Sequence, residues 1–165
     1  MATIKEFMSC TKGEINPEYD NLFLGENGYV AYVGVRCNVE EAIGAYAFVV
    51  YHNGEVFSKA EQAFQETTCN RLAIRAIIDA IKTCPEGSYV TVYTNNDCCI
   101  ATLRNERKNT NGDLHIKFYK TIESIEGVRI AFANRNFQWE LFEDLREAAW
   151  HAYRNGERRR DRLER

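Results

Sequence analysis

Cysteine and histidine are the residue types in this sequence that most often bind metals or act as nucleophiles. None of the six cysteines forms a Cys-x-x-Cys pair, and the adjacent Cys98 and Cys99 have no histidine cluster that would complete a zinc site. We therefore expect reduced, buried thiols. The cysteines are Cys10, Cys37, Cys69, Cys84, Cys98 and Cys99.

The three histidines are too scattered to suggest a metal site. His52 falls in a predicted turn, and His115 and His151 fall on two separate predicted helices, so surface or packing roles are expected. The sequence contains no Ser-His-Asp arrangement, phosphate-binding loop or dinucleotide fingerprint.

Residues 67–84, TTCNRLAIRAIIDAIKTC, combine a helix-capping sequence with an amphipathic helix. Thr68 or Asn70 can accept hydrogen bonds from the free amides of the first turn, which would leave Arg71 in solvent. Arg71, Arg75, Asp79 and Lys82 form a polar stripe opposite the apolar side of this helix. Pro85 and Gly87 then end it.

Three strands are predicted before this helix, and one directly after it. YVAYVGVRC begins at Tyr29 and GAYAFVVY at Gly44, and the HNG sequence at 52–54 predicts a tight hairpin leading into EVFSKAEQAF. These three strands should be antiparallel. SYVTVYT, at 88–94, follows a crossover helix and should lie parallel to the first strand.

The remaining sequence predicts three more helices and a fifth strand. NNDCCIATLRN and DLHIKFYKTIES read as helices, GVRIAFAN as a strand, and FQWELFEDLREAAWHAYRNG as a helix that ends at Gly156. The predicted fold class is α/β: a five-stranded mixed sheet, with three antiparallel strands followed by parallel strands, and helices on both faces.

The 165 residues are consistent with one domain, residues 29–155, between two terminal segments. Residues 1–28 fit an irregular arm or a short added strand. Residues 156–165 form a charged tail, which we interpret as a solvated or frayed helix end; the alternative is a basic arm that contacts nucleic acid or another protein.

The formal net charge of −3 argues against a generally basic nucleic-acid-binding protein, so any such binding must come from a local patch. The N-terminal sequence MATIKEFMSCTKGE carries charges throughout and has no apolar core. It therefore matches neither a signal peptide nor a membrane anchor, and we expect a cytoplasmic protein without membrane contact.

The order of predicted elements, together with two motifs, resembles the type 1 ribonuclease H family. TTCNRLAIRAIIDAI is similar to that family's Thr-Thr-x-Asn-Arg-x-Glu cap and helix, and VTVYTNND is similar to its strand ending in Thr-Asp. The resemblance covers most of residues 29–153. It implies an RNase H-like fold and, in active members, four carboxylates that hold two divalent metals about 3.5–4 Å apart.

The carboxylate positions implied by this resemblance are mostly neutral in this chain. They fall on Gly34, Ala73, Asn95 and Glu143, with Asp144 as the neighbouring alternative to Glu143. The family's histidine loop corresponds to the shorter ANRNFQ, with Arg135 near the histidine position. We therefore expect no catalytic residues, no cofactor and no metal site.

The resemblance also implies which residues would contact nucleic acid. The family's cap residues contact the sugar-phosphate backbone, and neutral donors suit phosphate and 2′-hydroxyl oxygens. The expected binding residues are Thr67, Thr68, Asn70, Arg71, Asn95 and Asn96. This predicts a catalytically inactive module that binds an RNA/DNA hybrid or a duplex.

Two alternatives remain open. The first is a protein-interaction scaffold that uses the same fold. The second is a divergent ribonuclease that cleaves RNA/DNA hybrids with Mg²⁺ or Mn²⁺ at displaced carboxylates, for which Asp97, Glu143 and Asp144 are weak metal-ligand candidates. Asp97 is otherwise an acid favoured at a helix N-terminus, and Glu143 and Asp144 a solvated helix face.

Overall fold

The computed structural model describes residues 3–8, 21–104 and 111–161. Within these ranges the strands are β1 (Ile4–Met8), β2 (Gly28–Asn38), β3 (Ile43–His52), β4 (Glu55–Gln65), β5 (Tyr89–Thr94), β6 (Gly127–Phe132) and β7 (Arg158–Arg160). The helices that lie wholly within these ranges are α1 (Cys69–Lys82), α2 (Asp97–Leu103), α3 (Gly112–Thr121) and α4 (Trp139–Asn155), and a 3₁₀ turn spans Ile122–Ser124. None of the helices described could span a membrane.

The described strands form one mixed sheet in the order β1-β6-β5-β2-β3-β4-β7. Strands β2, β3 and β4 are antiparallel neighbours, whereas β5 is parallel to β2 and β6 is parallel to β5. This five-stranded centre is the predicted arrangement. The β3–β4 turn also follows the prediction, because Asn53 and Gly54 have φ angles of 52° and 77°, as a two-residue hairpin turn requires.

The predicted strand count of five was wrong, because the described residues include a further strand at each edge of the sheet. β1 lies parallel to β6 at one edge, and β7 lies parallel to β4 at the other. The described part of 156–165 is therefore not a frayed helix end, since residues 158–160 pair with β4 and Asp161 is fully buried. Three consecutive arginines carry no apolar alternation, so the sequence pattern could not reveal β7.

Helices cover both faces of the sheet, as predicted. One face packs under α1, α2 and α3, with Leu72, Ile77 and Phe118 in its core. The other packs under α4, which buries Phe142, Leu145 and other apolar residues against β3 and β4. Two arginines of the polar stripe on α1 are not solvated: Arg75 is only 8% exposed, and the Arg71 side chain only 14%.

Candidate functional site

An open cleft of about 410 Å³ lies where β5 ends, between the β6–α4 loop and the first turns of α4. Parallel strands place their following loops at the same edge of the sheet, so residues distant in sequence meet here. Its lining comprises Asn95, Asn134, Arg135, Asn136, Phe137, Trp139, Phe142, Glu143 and Arg146. We call this the β5–α4 cleft.

The loop between β6 and α4 is held by its own asparagine. The side-chain Oδ1 of Asn134 accepts hydrogen bonds from the backbone N–H groups of Asn136 at 3.0 Å and Phe137 at 3.2 Å. The N–H of Ala133 donates to Thr94 O at 2.7 Å, which ties the loop to the end of β5. This Asx-type turn leaves Arg135 exposed beside the cleft.

The cleft has a slight excess of positive charge. Glu143 is the one carboxylate in its lining, and its Oε1 accepts a hydrogen bond from Arg146 Nη1 at 2.9 Å. Arg135 adds a second guanidinium, and the asparagines contribute amide donors. Trp139 is 59% exposed and presents an aromatic surface at the rim. Such a lining suits an anion with planar groups.

The described residues contain no group of three or more histidine, cysteine, aspartate or glutamate side chains arranged to hold a metal ion. Divalent hard cations need several oxygen ligands, and carboxylates provide the strongest of these in proteins. Glu143 alone, already paired with Arg146, does not form such a donor set. The residues of the cleft therefore do not fit a two-metal centre.

The four positions at which the resemblance places carboxylates are not brought together. Asn95 and Glu143 line the cleft. Gly34 instead faces α4, where an added Cβ would lie 2.8 Å from the Cβ of Leu145. Ala73 is 1% exposed and belongs to the core on the opposite face of the sheet. Side chains at Gly34 and Ala73 would thus extend into separate packed layers.

Five of the six residues expected to bind nucleic acid form side-chain hydrogen bonds within the fold. Thr68 is the N-cap of α1, and its hydroxyl accepts from the Arg71 N–H at 3.2 Å. Asn96 caps α2 in the same way, accepting from the Cys99 N–H at 3.0 Å. Asn70 donates from Nδ2 to Thr102 Oγ1 at 3.2 Å. Asn95 is the one expected binding residue that lines the cleft.

Thr67 and Arg71 belong to a buried ion network that sequence reasoning missed. Its centre is Asp161, directly after β7, whose carboxylate pairs with Arg71 at 2.7 Å and also with Arg75. The Thr67 hydroxyl donates to the same carboxylate. Arg71 also makes a two-pronged contact with Asp113, at 3.0 and 2.7 Å, which lowers the pKa of that carboxyl.

The weak metal-ligand candidates lie apart. Asp97 is an exposed acid in the first turn of α2, and Asp144 is exposed on α4 without lining the cleft. Neither shares a site with Glu143. The loop sequence ANRNFQW carried the clearest available signal for the cleft, because clustered asparagines next to a helix start are typical of a surface loop with exposed donors.

The histidines have the surface or packing roles expected of them. His52 stacks on Tyr29 with ring centroids 4.1 Å apart, and His115 lies 4.8 Å from the Tyr119 ring. His151 Nδ1 lies 3.8 Å from an oxygen of Glu61 on the surface.

The thiols among the described residues are free, as expected, but not all of them are buried. Burial raises the pKa of the Cys84 and Cys99 thiols to about 12. The prediction of buried thiols is corrected for Cys98, which is exposed, and for Cys37 and Cys69, which are half-buried. Cys10 lies outside the described residues.

No protein-family model and no curated protein sequence matches the chain. Solved structures do. One is the N-terminal RNase H domain of Rv2228c from Mycobacterium tuberculosis, determined as a fusion with maltose binding protein; the TM-score is 0.65 at 13% identity, over 76% of this chain and 95% of that one. Another is RNase H1 from the halophilic archaeon Halobacterium salinarum NRC-1, with a TM-score of 0.62 at 13% identity, over 77% and 98% of the two chains.

At 13% identity these matches concern the fold, and they confirm the expected architecture. The described chain has an RNase H-like fold, with β1 and β7 as additional strands at the edges of its five-stranded centre.

Proposed function

We propose that this protein, with its RNase H-like fold, is a nucleic-acid-binding module that has lost metal-dependent hydrolysis. The observation that carries the proposal is the composition of the β5–α4 cleft. It contains two arginines, three asparagines and one carboxylate, and that carboxylate is paired with Arg146. A cleft of this kind attracts phosphates directly, whereas a cleft of several carboxylates needs metal ions to do so.

The ligand proposed for the cleft is an RNA/DNA hybrid or another duplex. Arg135 and the asparagine amides are donors for phosphate oxygens, and amide groups can also bond the 2′-hydroxyl that distinguishes RNA. Trp139 offers an exposed ring at the rim on which a base at the end of the duplex can stack. Asn95 keeps the binding role expected from the sequence.

Contact through the α1 cap becomes a secondary part of the proposal. Thr67 and Arg71 would have to leave a buried carboxylate in order to reach a phosphate, and Thr68 would have to uncap α1. Breaking a buried ion pair leaves an uncompensated charge, at a cost of about 3–5 kcal/mol. Exposed donors of the cleft face no such cost, so they are the primary contacts.

Fluorescence anisotropy with a labelled RNA/DNA hybrid tests the proposal. We expect salt-dependent binding that weakens by about 3- to 10-fold in each of Arg135→Gln and Arg146→Gln, with a smaller slope of log affinity against log salt. Lys120→Gln is the matched control, because Lys120 is exposed near the end of α3, on the opposite face. Absence of binding at low salt would reject the proposal.

The protein-interaction alternative has a distinct readout in the same experiment. A scaffold for another protein would bind neither hybrid nor duplex at low salt, and Arg135→Gln and Arg146→Gln would show no binding either. Equal affinity of wild type and both arginine variants would mean that any binding measured does not involve the cleft.

A further inference from the structure

Planar side chains form a continuous stack beside the C-terminal half of α4. The Arg36 guanidinium lies 4.6 Å from the Trp150 ring centroid, and the Trp150 and Tyr153 rings stack at 4.8 Å with an interplanar angle of 12°. Arg158 lies 4.6 Å from the Tyr153 ring, and Arg154 lies 5.5 Å from the Trp150 ring. We call these five residues the arginine–aromatic stack.

Among the described residues, no carboxylate is paired with an arginine of the stack. In the described part of the chain, Arg36 and Arg154 make cation–π contacts and no ion pair. Arg158 donates to the backbone oxygen of Tyr153, which carries no formal charge. The guanidiniums of Arg71 and Arg75, by contrast, are paired with buried Asp161.

Charge along this part of the chain is strongly segregated. Residues 139–147 contain four acids and one arginine, whereas residues 148–160 contain four arginines and one acid, Glu157. Glu61 on β4 lies 3.8 Å from His151, and Glu66, directly after β4, lies 3.9 Å from Arg160. Neither is paired with a stack arginine, so a basic surface persists inside a chain of net charge −3.

The geometry of the stack defines the kind of group it can bind. A guanidinium lying over a ring uses its flat face for that contact, and its N–H donors point outward in the plane of the group. Those donors match the oxygens of a phosphate. The Trp150 and Tyr153 rings face each other and the flanking guanidiniums, so the stack offers phosphate contacts but no open ring face for a base.

The stack also continues the surface of the β5–α4 cleft. Arg146 lines the cleft and stands one helical turn before Trp150, about 6 Å along the α4 axis. Residues four positions apart lie on the same side of a helix. Arg146, Trp150 and Arg154 therefore follow one another along α4.

We infer that the arginine–aromatic stack is a second nucleic-acid contact that holds the phosphodiester backbone without regard to base sequence. The inference rests on the proposed function, because it extends the interface of the cleft. The bound strand enters the cleft at the start of α4 and passes along this helix to Arg36, Arg154 and Arg158. Both the cleft and the stack then contribute to affinity, and the stack does so through phosphate contacts alone.

Anisotropy titrations of double variants test this inference against two labelled RNA/DNA hybrids of equal length and unrelated sequence. The stack variant is Arg36→Gln with Arg154→Gln, and the cleft variant is Arg135→Gln with Arg146→Gln. The control, Lys82→Gln with Lys120→Gln, removes two exposed lysines from α1 and α3 on the other face of the sheet. Thermal unfolding checks that each variant is folded. If the stack variant is unfolded, the single variant Arg154→Gln replaces it, because Arg154 is exposed.

We expect the stack variant to bind both hybrids about 10- to 30-fold more weakly than wild type, by the same factor for each sequence. The slope of log affinity against log salt should fall by nearly 2, about 0.9 for each lost phosphate contact on a duplex. The control should bind as wild type does. Arg36→Lys with Arg154→Lys should restore part of the affinity, because it restores charge without the planar group.

Other outcomes overturn the inference in distinguishable ways. If the cleft variant loses affinity and the stack variant does not, the stack is structural and the proposed function stands. If wild type binds neither hybrid at low salt, the proposed function fails and the inference fails with it. If polyglutamate competes as well as unlabelled hybrid and depends on the same arginines, the stack binds an acidic protein instead.

Discussion

Leu145 fills the space that a carboxylate side chain at position 34 on β2 would need. The sequence alone identified Gly34 as a neutral residue at this position, but only the structure shows what fills the space. The backbone of β2 approaches α4 so closely that an added Cβ would lie 2.8 Å from the Leu145 Cβ. An acidic side chain introduced at Gly34 alone would therefore clash with Leu145 and could not reach a metal ion in the cleft.

Gly34→Ala should lower the free energy of unfolding by about 1–3 kcal/mol, because the new methyl group overpacks the contact with Leu145. Leu145→Ala alone should cost about 2–5 kcal/mol through the cavity it leaves. The double variant should cost no more than Leu145→Ala, which urea unfolding of all three measures. An equal penalty for Gly34→Ala in both backgrounds would contradict the contact.

At the scale of elements, the sequence predicted the central strands and the helices because each of them carries a hydrophobic period. The β3–β4 turn was equally predictable, since Asn53 and Gly54 readily adopt positive φ. β7 was not, because its three residues are all arginine and its place depends on contacts far along the chain. Asp161 reaches Arg75 across 86 residues and Arg71 across 90.

The same long-range contacts explain why the expectation that Arg71 lies in solvent was wrong. TTCNR matches a capping sequence, and Thr68 does cap α1. No local pattern reveals that Arg71 lies against Asp113 and Asp161. The cleft was only partly predictable, through Asn95 and Glu143. The roles of Arg146 and Trp139 depend on how α4 packs, which periodicity does not specify.

Asp161→Asn should destabilise the protein by about 3–5 kcal/mol, because it leaves Arg71 and Arg75 without their shared buried carboxylate. Arg160→Gln, at the neighbouring residue, is the control: the contact of Arg160 with Glu66 is 3.9 Å long and exposed, so the change should stay within about 0.5 kcal/mol. Chemical denaturation measures both. Equal stability of Asp161→Asn and wild type would mean that the ion pairs of Asp161 with Arg71 and Arg75 do not stabilise the fold.

At the scale of the whole molecule, the two faces of the sheet carry different features. The α1 face carries the larger core and the Asp161 network. The α4 face carries the β5–α4 cleft and the arginine–aromatic stack. Stability and proposed binding are thus largely separate, and arginine variants on α4 should alter affinity without unfolding the chain.

The response of the molecule to acid follows from its ion pairs. Arg71 lowers the pKa of Asp113 in the folded state. The stabilisation from this carboxylate is therefore fully present above the pKa of the unfolded state, about 4. It is lost as the pH falls through the lower pKa of the folded state. Thermal unfolding from pH 7 to pH 2 should show a decline that begins below about pH 4 and is shallower in Asp113→Asn. Asp144→Asn, at an exposed position, is the control and should follow wild type. An unchanged profile in Asp113→Asn would exclude this pair as a cause.

The most direct test of the central claim is hydrolysis of an end-labelled RNA/DNA hybrid at a protein concentration that anisotropy shows to be saturating. Denaturing gels follow the hybrid in Mg²⁺ and separately in Mn²⁺, for wild type and for Glu143→Gln. We predict an intact hybrid throughout, because the cleft contains one carboxylate and that one is paired with Arg146. Cleavage by wild type that disappears in Glu143→Gln would contradict the account and show that a metal-dependent nuclease site exists around Glu143.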